Sequence, residues 1–565
     1  MKWNVRKQDH RRVAELASAL GCSPVLAWVL MNRGIESPDT ATAFLHPSLE
    51  QLRPPEPMAD TAPAVERIIR ALDSGETVGV YGDYDVDGIT GAVLLCRFLK
   101  SIGLNCIWHL PHRQKDGYGM KPGGIDDLKS RGATLILAVD CGISDFAAID
   151  RAREFETDVI VIDHHQVADR LPAACAVINP QRTDCPFHGQ PLSGVGAAFY
   201  LLVALRARLR ELGRIEDKRH NLVAYLDLVA LGTVADVVPL VGLNRVLVHF
   251  GLEQINRGAR PGIAQLRRVS GLKVPALDAE NLSFQLAPRI NAAGRIDSGE
   301  VSMRLLLTDD EREAGILAEE LERMNQTRRQ VEERISQEAL RRLETRPELL
   351  DRNAIVVSGL GWHIGVIGIV ASRLVEVFNR PVAVVGVHNG VGKGSLRSVP
   401  GVNIFSAIQR CEGLLEAYGG HPMAAGVTMK EENLPSFADA LDRAVVEVRD
   451  DSVGPPALEV DAEWPLARCD LALVDELARL KPYGAQNPEP CFCARGVKVL
   501  WARETRGNSF QIGLGEGAAQ IKGFAFRLGA PPEPGSLIDV VYTPVRDDYN
   551  GQAAWRAKVR DLKPT

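Results

Sequence analysis

Residues Gly82-Asp83-Tyr84-Asp85-Val86-Asp87-Gly88 place three carboxylates at alternate positions between two glycines. Carboxylates crowded this closely repel one another, so folding them together is costly unless a cation shares the site. A solvated Asp-rich turn is the common reading of such a stretch. An EF-hand is excluded, because the ligand register breaks at the apolar run after Asp87 and no Glu closes it. Two further stretches carry groups of the same kind, Val139-Asp140-Cys141-Gly142 and Asp163-His164-His165, and Asp236 adds another acid. Carboxylates with one or two imidazoles and no thiolate fit a pair of divalent ions, Mn²⁺ first, Mg²⁺ next and Zn²⁺ last. Two such ions activate water and stabilise both oxygens of an in-line displacement at phosphorus. Adjacent histidines alone read as surface or capping residues; the accompanying strand-end acids tip the balance to metal. No Walker A sequence, Ser-His-Asp array or Cys nucleophile competes.

Each of the three main stretches ends a strand. Thr77 to Val80 precedes the acidic turn, Ala133 to Val139 precedes Asp140, and Asp158 to Ile162 precedes Asp163. Apolar runs without alternation predict strands buried on both faces, hence a parallel sheet covered by helices. Ligands gather at the carboxyl ends of such strands. Helices are expected at Val65 to Leu72, Ile89 to Leu99, Leu222 to Leu231 and Leu282 to Arg295. A long charged helix, Asp309 to about Arg346, reads as an exposed connector whose arginines are solvated. A second α/β unit follows, with strands Ala354 to Val357 and Val382 to Val387 around a helix, Val366 to Phe378. Its Gly392-Lys393-Gly394-Ser395-Leu396-Arg397-Ser398 stretch reads as a loop able to form an anion nest. Trp362 and His363 fit a core position as well as a base-stacking one. From about Pro455 short alternating strands, among them Gly496 to Trp501, Ser509 to Leu514, Ala519 to Phe526 and Ser536 to Thr543, predict a small barrel.

The expected class is therefore α/β, with two α/β domains joined by a long helix and a C-terminal β-barrel. The expected boundaries are 1–60 (N-terminal appendage), 61–308, 309–350 (connecting helix), 351–452 and 453–565. A chain of 565 residues is too long for one core. Its 45% hydrophobic and 24% charged content is that of an ordinary soluble protein. The net charge of −6 gives no global basic signature, although phosphate contacts need only a local basic surface. The uncharged run Ala354 to Ser372 has membrane-span length, but its Gly, Trp and His content reads as strand, loop and helix. No signal-peptide core is seen, and no membrane partner is expected. The ten cysteines show no zinc-ribbon or thioredoxin spacing, which suits reduced thiols in a cytoplasmic protein.

The acidic turn, Val139 to Gly142 and Asp163-His164-His165 resemble successive motifs of the DHH phosphoesterase superfamily, and Gly232 to Leu240 resembles a later one. Pro111-His112-Arg113 with Gly117-Tyr118-Gly119, Ala287-Pro288-Arg289-Ile290-Asn291-Ala292, and Gly419-Gly420-His421 narrow the resemblance to the RecJ family of single-strand-specific 5′→3′ DNA exonucleases. The resemblance spans about Val65 to Gly426; the barrel, an OB-fold in that family, matches by position and texture.

The resemblance implies Asp85, Asp87, Asp140, His164 and Asp236 as ligands of Mn²⁺ or Mg²⁺, two ions in all. Asp163 and His165 would support the site, and Asp140, His164, His165, Asp163, Arg289 and His421 would form the catalytic set. Asp83 stands at the family's first acidic position with its role open, and Tyr81 replaces a histidine ligand of some relatives. Arg113, Arg289, Gly420 and His421 would contact DNA phosphates, and Ser395 and Arg397 the 5′-terminal phosphate. Arg289 also fits an ordinary helix-cap ion pair. Phe510, Phe524, Phe526 and Tyr542 are the barrel aromatics, half of them expected in the core. The resemblance further implies single-stranded DNA as substrate, work in recombinational and mismatch repair, a single-strand-binding protein and a RecQ-type helicase as partners, and a monomer. Two alternatives stand beside it. One is another DHH phosphoesterase acting on oligoribonucleotides, cyclic dinucleotides or pyrophosphate; the other is a non-catalytic DNA-binding scaffold.

Overall fold

The structure is a computed structural model that describes residues 2–55, 58–113, 115–167, 169–216, 220–258, 260–454, 457–505, 507–548 and 553–565. The chain divides into two compact units. One comprises Pro54–Asp236 and Phe250–Gly454; the other comprises Met1–Arg53, Val237–His249 and Pro455–Thr565.

The first unit opens with a five-stranded, all-parallel sheet. Its strands are β1 (Thr77–Gly82), β2 (Asn105–His109), β3 (Ala133–Val139), β4 (Asp158–Ile162) and β5 (Ala176–Ile178), in spatial order 2-1-3-4-5. Leu135, Ile136, Leu137, Val139, Ile160 and Ile162 have no or almost no exposure, as apolar runs without alternation require. Each such side chain contributes about 1.5–3 kcal/mol by leaving water, and together they fix the sheet edge that follows. Gly82 pairs with Val139, Val139 with Ile162, and Ile162 with Ile178. The next residues, Asp83, Asp140, Asp163 and Asn179, therefore leave the sheet along one line at its carboxyl edge. The strand order reverses between β1 and β3, where doubly wound sheets bind ligands.

Helices α1 (Val86–Ser101) and α2 (Gly194–Glu211) pack over this sheet, α3 (Leu226–Ala235) packs against both of them, and α4 (Ala287–Ile296) follows. The long helix is α5 (Glu311–Thr345), 35 residues. Arg323, Arg329, Arg334 and Arg341 on it are exposed, as charge patterning predicts, but Arg328 is buried. It bonds Glu332 and Asn325 on its own helix, so the solvated reading fails there.

The second sheet of this unit has the order β9-β10-β8-β7-β6, from β6 (Ile355–Leu360), β7 (Val382–His388), β8 (Val391–Arg397), β9 (Ala417–His421) and β10 (Ala424–Lys430). Only β6 and β7 are parallel. Gly392 to Arg397, expected as a loop with an anion nest, is strand β8, bonded on both sides. Its glycines serve close strand packing: an added Cβ at Gly394 would sit 2.8 Å from Val427 Cγ2. The uncharged run from Ala354 divides into β6 and helix α6 (Ile364–Phe378), and no single helix among the described residues is long and apolar enough to cross a membrane. Trp362 is buried, its indole donating to Glu338, and His363 caps α6 through Gly365 N; the stacking reading fails for Trp362.

In the other unit β11 (Phe492–Thr505), β12 (Ser509–Glu516), β13 (Ala519–Ala525), β14 (Leu537–Asp547) and β15 (Ala554–Pro564) close into a barrel through the pairing of β11 with β14. Phe510 and Tyr542 are core, Phe524 is half-buried, and Phe526 is 62% exposed. The N-terminal helices share this core, with Val13, Leu26 and Leu30 in one cluster with Phe492 and Phe510. Strand Lys2–Val5 pairs in parallel with Ala457–Val460. The described residues contain ten free cysteines and no disulfide.

Candidate active site

The acidic turn is built by the start of α1. Asp85 caps this helix, accepting from Asp87 N at 2.9 Å and Gly88 N at 3.1 Å. Gly88 lets the helix abut the strand end, because a Cβ there would lie 2.5 Å from Asp83 N. Asp87 points the other way, into the N-terminus of α2, where Gly194 N and Val195 N donate to its two oxygens at 2.6 and 2.9 Å. A Cβ at Gly194 would lie 2.7 Å from Asp140 Cβ, so this approach requires glycine. Asp140 itself holds φ +61°, a strained left-handed conformation for a residue with a Cβ, sustained by the bond from its N–H to Ile162 O.

The carboxylates and imidazoles converge. His164 Nε2 lies 3.1 Å from Asp140 Oδ1, 3.5 Å from Asp236 Oδ2 and 3.7 Å from Asp87 Oδ2. Ligand atoms of Asp87, His164 and Asp236 fall within 4.8 Å of one another, and so do those of Asp83, Asp85 and Asp140. Asp140, His164 and His165 form a third such group. The structure thus brings together all five expected ligands and adds Asp83, whose two oxygens are buried without a well-formed hydrogen bond. Burial and the Asp85 charge hold the Asp83 carboxyl well above the usual carboxylate range. Burial, then Asp87, Asp85 and Asp236, do the same to Asp140. Burial and Asp85 push Asp87 up to about 7, and burial with Asp87 and Asp85 pushes Asp236 up to about 9. Burial, with His165 beside it, lowers His164 to about 4, which leaves a neutral imidazole to act as a ligand. Buried, unpaired and mutually repelling carboxylates around a neutral imidazole are the donor set that divalent cations satisfy. The residues fit the two ions.

Asp163 differs from its neighbours. Burial alone would raise it, but His165 Nδ1 at 2.7 Å and the amides of Ile143, His164 and His165 bring it down to about 2. It is therefore an anchor, fixing the His164-His165 peptide. Asn179 supports the same loop, donating to His165 O at 3.0 Å.

The expected phosphate contacts divide. Ser395 and Arg397 share one face of β8, with Arg397 Nη1 3.1 Å from Ser395 Oγ. Arg113 lies over the Tyr84 ring at 4.8 Å. Arg295, on α4, bonds Gly365 O at 3.1 Å. Burial, then Arg113, Arg328 and Arg397, lowers it to about 9, which places these four guanidiniums in one cluster. Arg295 and Arg328 were missed in the sequence, where a helical arginine reads as solvated. Arg289 is buried against Glu322, Nε to Oε2 2.6 Å, and donates to Gln285 O, which matches its ion-pair reading. Gly420 and His421 are exposed at the end of β9, and no hydrogen bond or ion pair joins His421 to the carboxylates among the described residues.

Residues 77–233 match the DHH family, N-terminal domain, residues 351–447 the DHHA1 domain, and residues 460–561 the RecJ OB domain. The chain is similar to single-stranded-DNA-specific exonuclease RecJ of Bacillus subtilis, 33% identical over 99% of this chain and 70% of that protein. Its counterpart in Salmonella typhimurium is 36% identical over 99% of both chains, and that of Escherichia coli 39% over 86% of both. Among solved structures, RecJ in complex with Mn²⁺ from Thermus thermophilus matches with a TM-score of 0.83 at 32% identity, over all of this chain and 80% of that one. Another, of exonuclease RecJ bound to manganese, has a TM-score of 0.61 at 36% identity over 71% of this chain and 96% of its own.

Proposed function

Because this chain belongs to the RecJ family of single-stranded-DNA-specific exonucleases, and is a metal-dependent exonuclease with Mn²⁺ or Mg²⁺ as cofactor, we propose that it removes 5′-mononucleotides from the 5′ end of single-stranded DNA. The observation that carries the reading is the presence, in one compact unit, of a buried carboxylate and imidazole cluster and of a cluster of arginines around Arg295. Phosphodiester hydrolysis uses both.

Asp83, Asp85 and Asp140 would hold one ion; Asp87, His164 and Asp236, with Asp140 shared, would hold the other. When bound, such a pair supplies an activated water and offsets the charge on the phosphoryl oxygens. Asp163 keeps His164 and His165 in place for this. Arg397 and Ser395, with Arg113 and Arg295, offer donors for the 5′-terminal and adjoining phosphates, which sets the end from which digestion begins. Arg289 joins them only by leaving Glu322, and His421 reaches the scissile phosphate only once the substrate is in place. On the barrel, Phe526 with the Arg527 guanidinium 5.0 Å from its ring centre, and Trp501 at 40% exposure, offer stacking surfaces for unpaired bases. The setting we propose is cytoplasmic recombinational and mismatch repair, the protein acting as a monomer beside a single-strand-binding protein and a RecQ-type helicase.

A timed digest of 5′-labelled long single-stranded DNA beside a dinucleotide tests this. Rapid release of labelled mononucleotide from the long strand is expected. Preference for the dinucleotide would transfer the chain to the small-substrate phosphoesterases, and binding without hydrolysis at any Mn²⁺ or Mg²⁺ concentration would make it a scaffold.

A further inference from the structure

Tyr118, between Gly117 and Gly119, carries its hydroxyl into the site. It stands 2.9 Å from His165 Nε2, 3.1 Å from Nδ1 of the same ring and 3.4 Å from the Asp140 carbonyl. Asp163 holds the same imidazole, 2.7 Å from Nδ1. The rings of Tyr118 and His165 meet edge to face, 5.5 Å between centroids. The loop that delivers the phenol is shaped for it. Gly117 and Gly119 flank Tyr118 at φ +78° and +81°, which residues with a Cβ rarely adopt. Asp145, one carboxylate accepting from both Met120 N and Gly142 N, clamps this loop to the turn after Asp140. A Cβ at Gly119 would lie 2.6 Å from Asp145 Oδ1, so the clamp closes only over glycine. Tyr118 as a whole is 45% exposed while its hydroxyl is turned inward.

An imidazole held only at one nitrogen can still swing about its Cβ–Cγ bond; a hydroxyl seated against the ring within reach of both nitrogens restricts that swing. We propose that Tyr118 is a positioning residue for hydrolysis, completing an Asp163–His165–Tyr118 chain that holds His165 in one orientation beside the ligands Asp140 and His164. Asp163 accepts from Nδ1–H, and the phenol hydroxyl rests against the ring within 3.1 Å of both nitrogens.

The inference rests on the exonuclease reading, and its test has one arm that does not. Tyr118→Phe removes the hydroxyl and keeps the ring. On single-stranded DNA with Mn²⁺, kcat is expected to fall about 10- to 100-fold, the loss expected for one hydrogen bond to a group that carries charge, with KM within twofold of wild type. In metal-free protein carrying ¹⁵N-labelled histidine, the His165 ring resonances, assigned by their absence in His165→Gln, are expected to show one slowly exchanging orientation in wild type and averaging in Tyr118→Phe. Unchanged kcat would overturn the proposal. So would a raised KM with kcat intact, above all if Tyr118→Leu loses binding that Tyr118→Phe keeps, since that marks a stacking surface. Averaged His165 resonances in wild type would overturn it without any variant. Inactive wild type would instead sink the exonuclease reading and leave the ring measurement to stand.

Discussion

The carboxylate cluster at the edge of the first sheet and the arginine cluster around Arg295 are electrostatic opposites with one defect in common. In the first, burial and like charge push Asp83, Asp87, Asp140 and Asp236 towards their neutral forms. In the second, burial and three neighbouring guanidiniums push Arg295 the same way, towards losing its charge. Elsewhere in the same unit buried charges are paired: Arg260 meets Asp227 at 2.6 Å, and Arg67 meets both Asp158 and Glu76. Those pairs hold structure, whereas each of the two clusters gathers like charges, a setting suited to metal cations in one and to phosphates in the other.

Removing charge from each cluster separates the roles. Asp140→Ala takes away the carboxylate found in two of the three ligand groups, and hydrolysis with Mn²⁺ should fall on the order of 10³-fold or more, measured by release of labelled nucleotide, while single-strand binding persists. Undiminished cleavage would break the comparison at its acidic side. Arg397→Ala and Arg295→Ala should act on binding: KM for 5′-phosphorylated DNA should rise about 10- to 100-fold, as expected for a lost charge-assisted bond, with less change for 5′-hydroxyl DNA. The salt dependence of binding should lose about one unit of slope per arginine. Equal effects on both ends would place these arginines elsewhere along the strand.

Protons compete with metal only on the acidic side. Asp87 at about 7 and Asp236 at about 9 must lose protons when cations bind. Affinity for Mn²⁺, measured by calorimetry, should therefore rise by at least about tenfold per pH unit between 7 and 9, and more steeply below 7, with Asp83 and Asp140 adding to the slope. For metal-free protein the sign reverses. A carboxyl whose folded pKa is raised releases its proton more readily when unfolded, so stability contributed by Asp87 falls as pH rises from about 4 to about 7, and that of Asp236 from about 4 to about 9. Asp163, depressed to about 2, adds stability above about 4 that is lost as pH falls towards 2. Asp87→Asn should consequently raise the melting temperature of metal-free protein at pH 8 by about 2–4 °C, the smallest effect and the most telling, because it stabilises the chain while spoiling its metal site. A lowered melting temperature would show that the bonds from Gly194 and Val195 outweigh the repulsion.

How much of this was legible in the sequence follows from how local each signal is. Asp83 to Asp87, Asp140 and Asp163 to His165 were legible because each directly follows an apolar strand, and parallel register then aligns them. Asp236 was the weakest of the acids in the sequence, since it ends a helix that carries no strand signal, and the resemblance gave it a ligand's role. Arg295 and Arg328 were not legible: on a helix, burial depends on which neighbour covers the face, and Arg328 is covered while Arg323 and Arg329 are open. Gly392 to Arg397 misled because glycines that admit close strand packing resemble glycines of an anion-binding loop. The pairing of Lys2 with Ala457 lies beyond any local pattern, since strand partners 455 positions apart leave no trace in either segment. The barrel was legible as texture, but which aromatics face out was settled only by closure, which buries Phe510 and Tyr542 and exposes Phe526.

The central claim, a two-ion site spanning β1, β3, β4 and α3, is met most directly by anomalous diffraction from crystals soaked in Mn²⁺. The expected result is two peaks, one among Asp83, Asp85 and Asp140 and one among Asp87, His164 and Asp236, with Asp140 between them and both lost in Asp140→Ala. A map with no peak at this sheet edge, while the same crystals bind Mn²⁺ elsewhere, would contradict it.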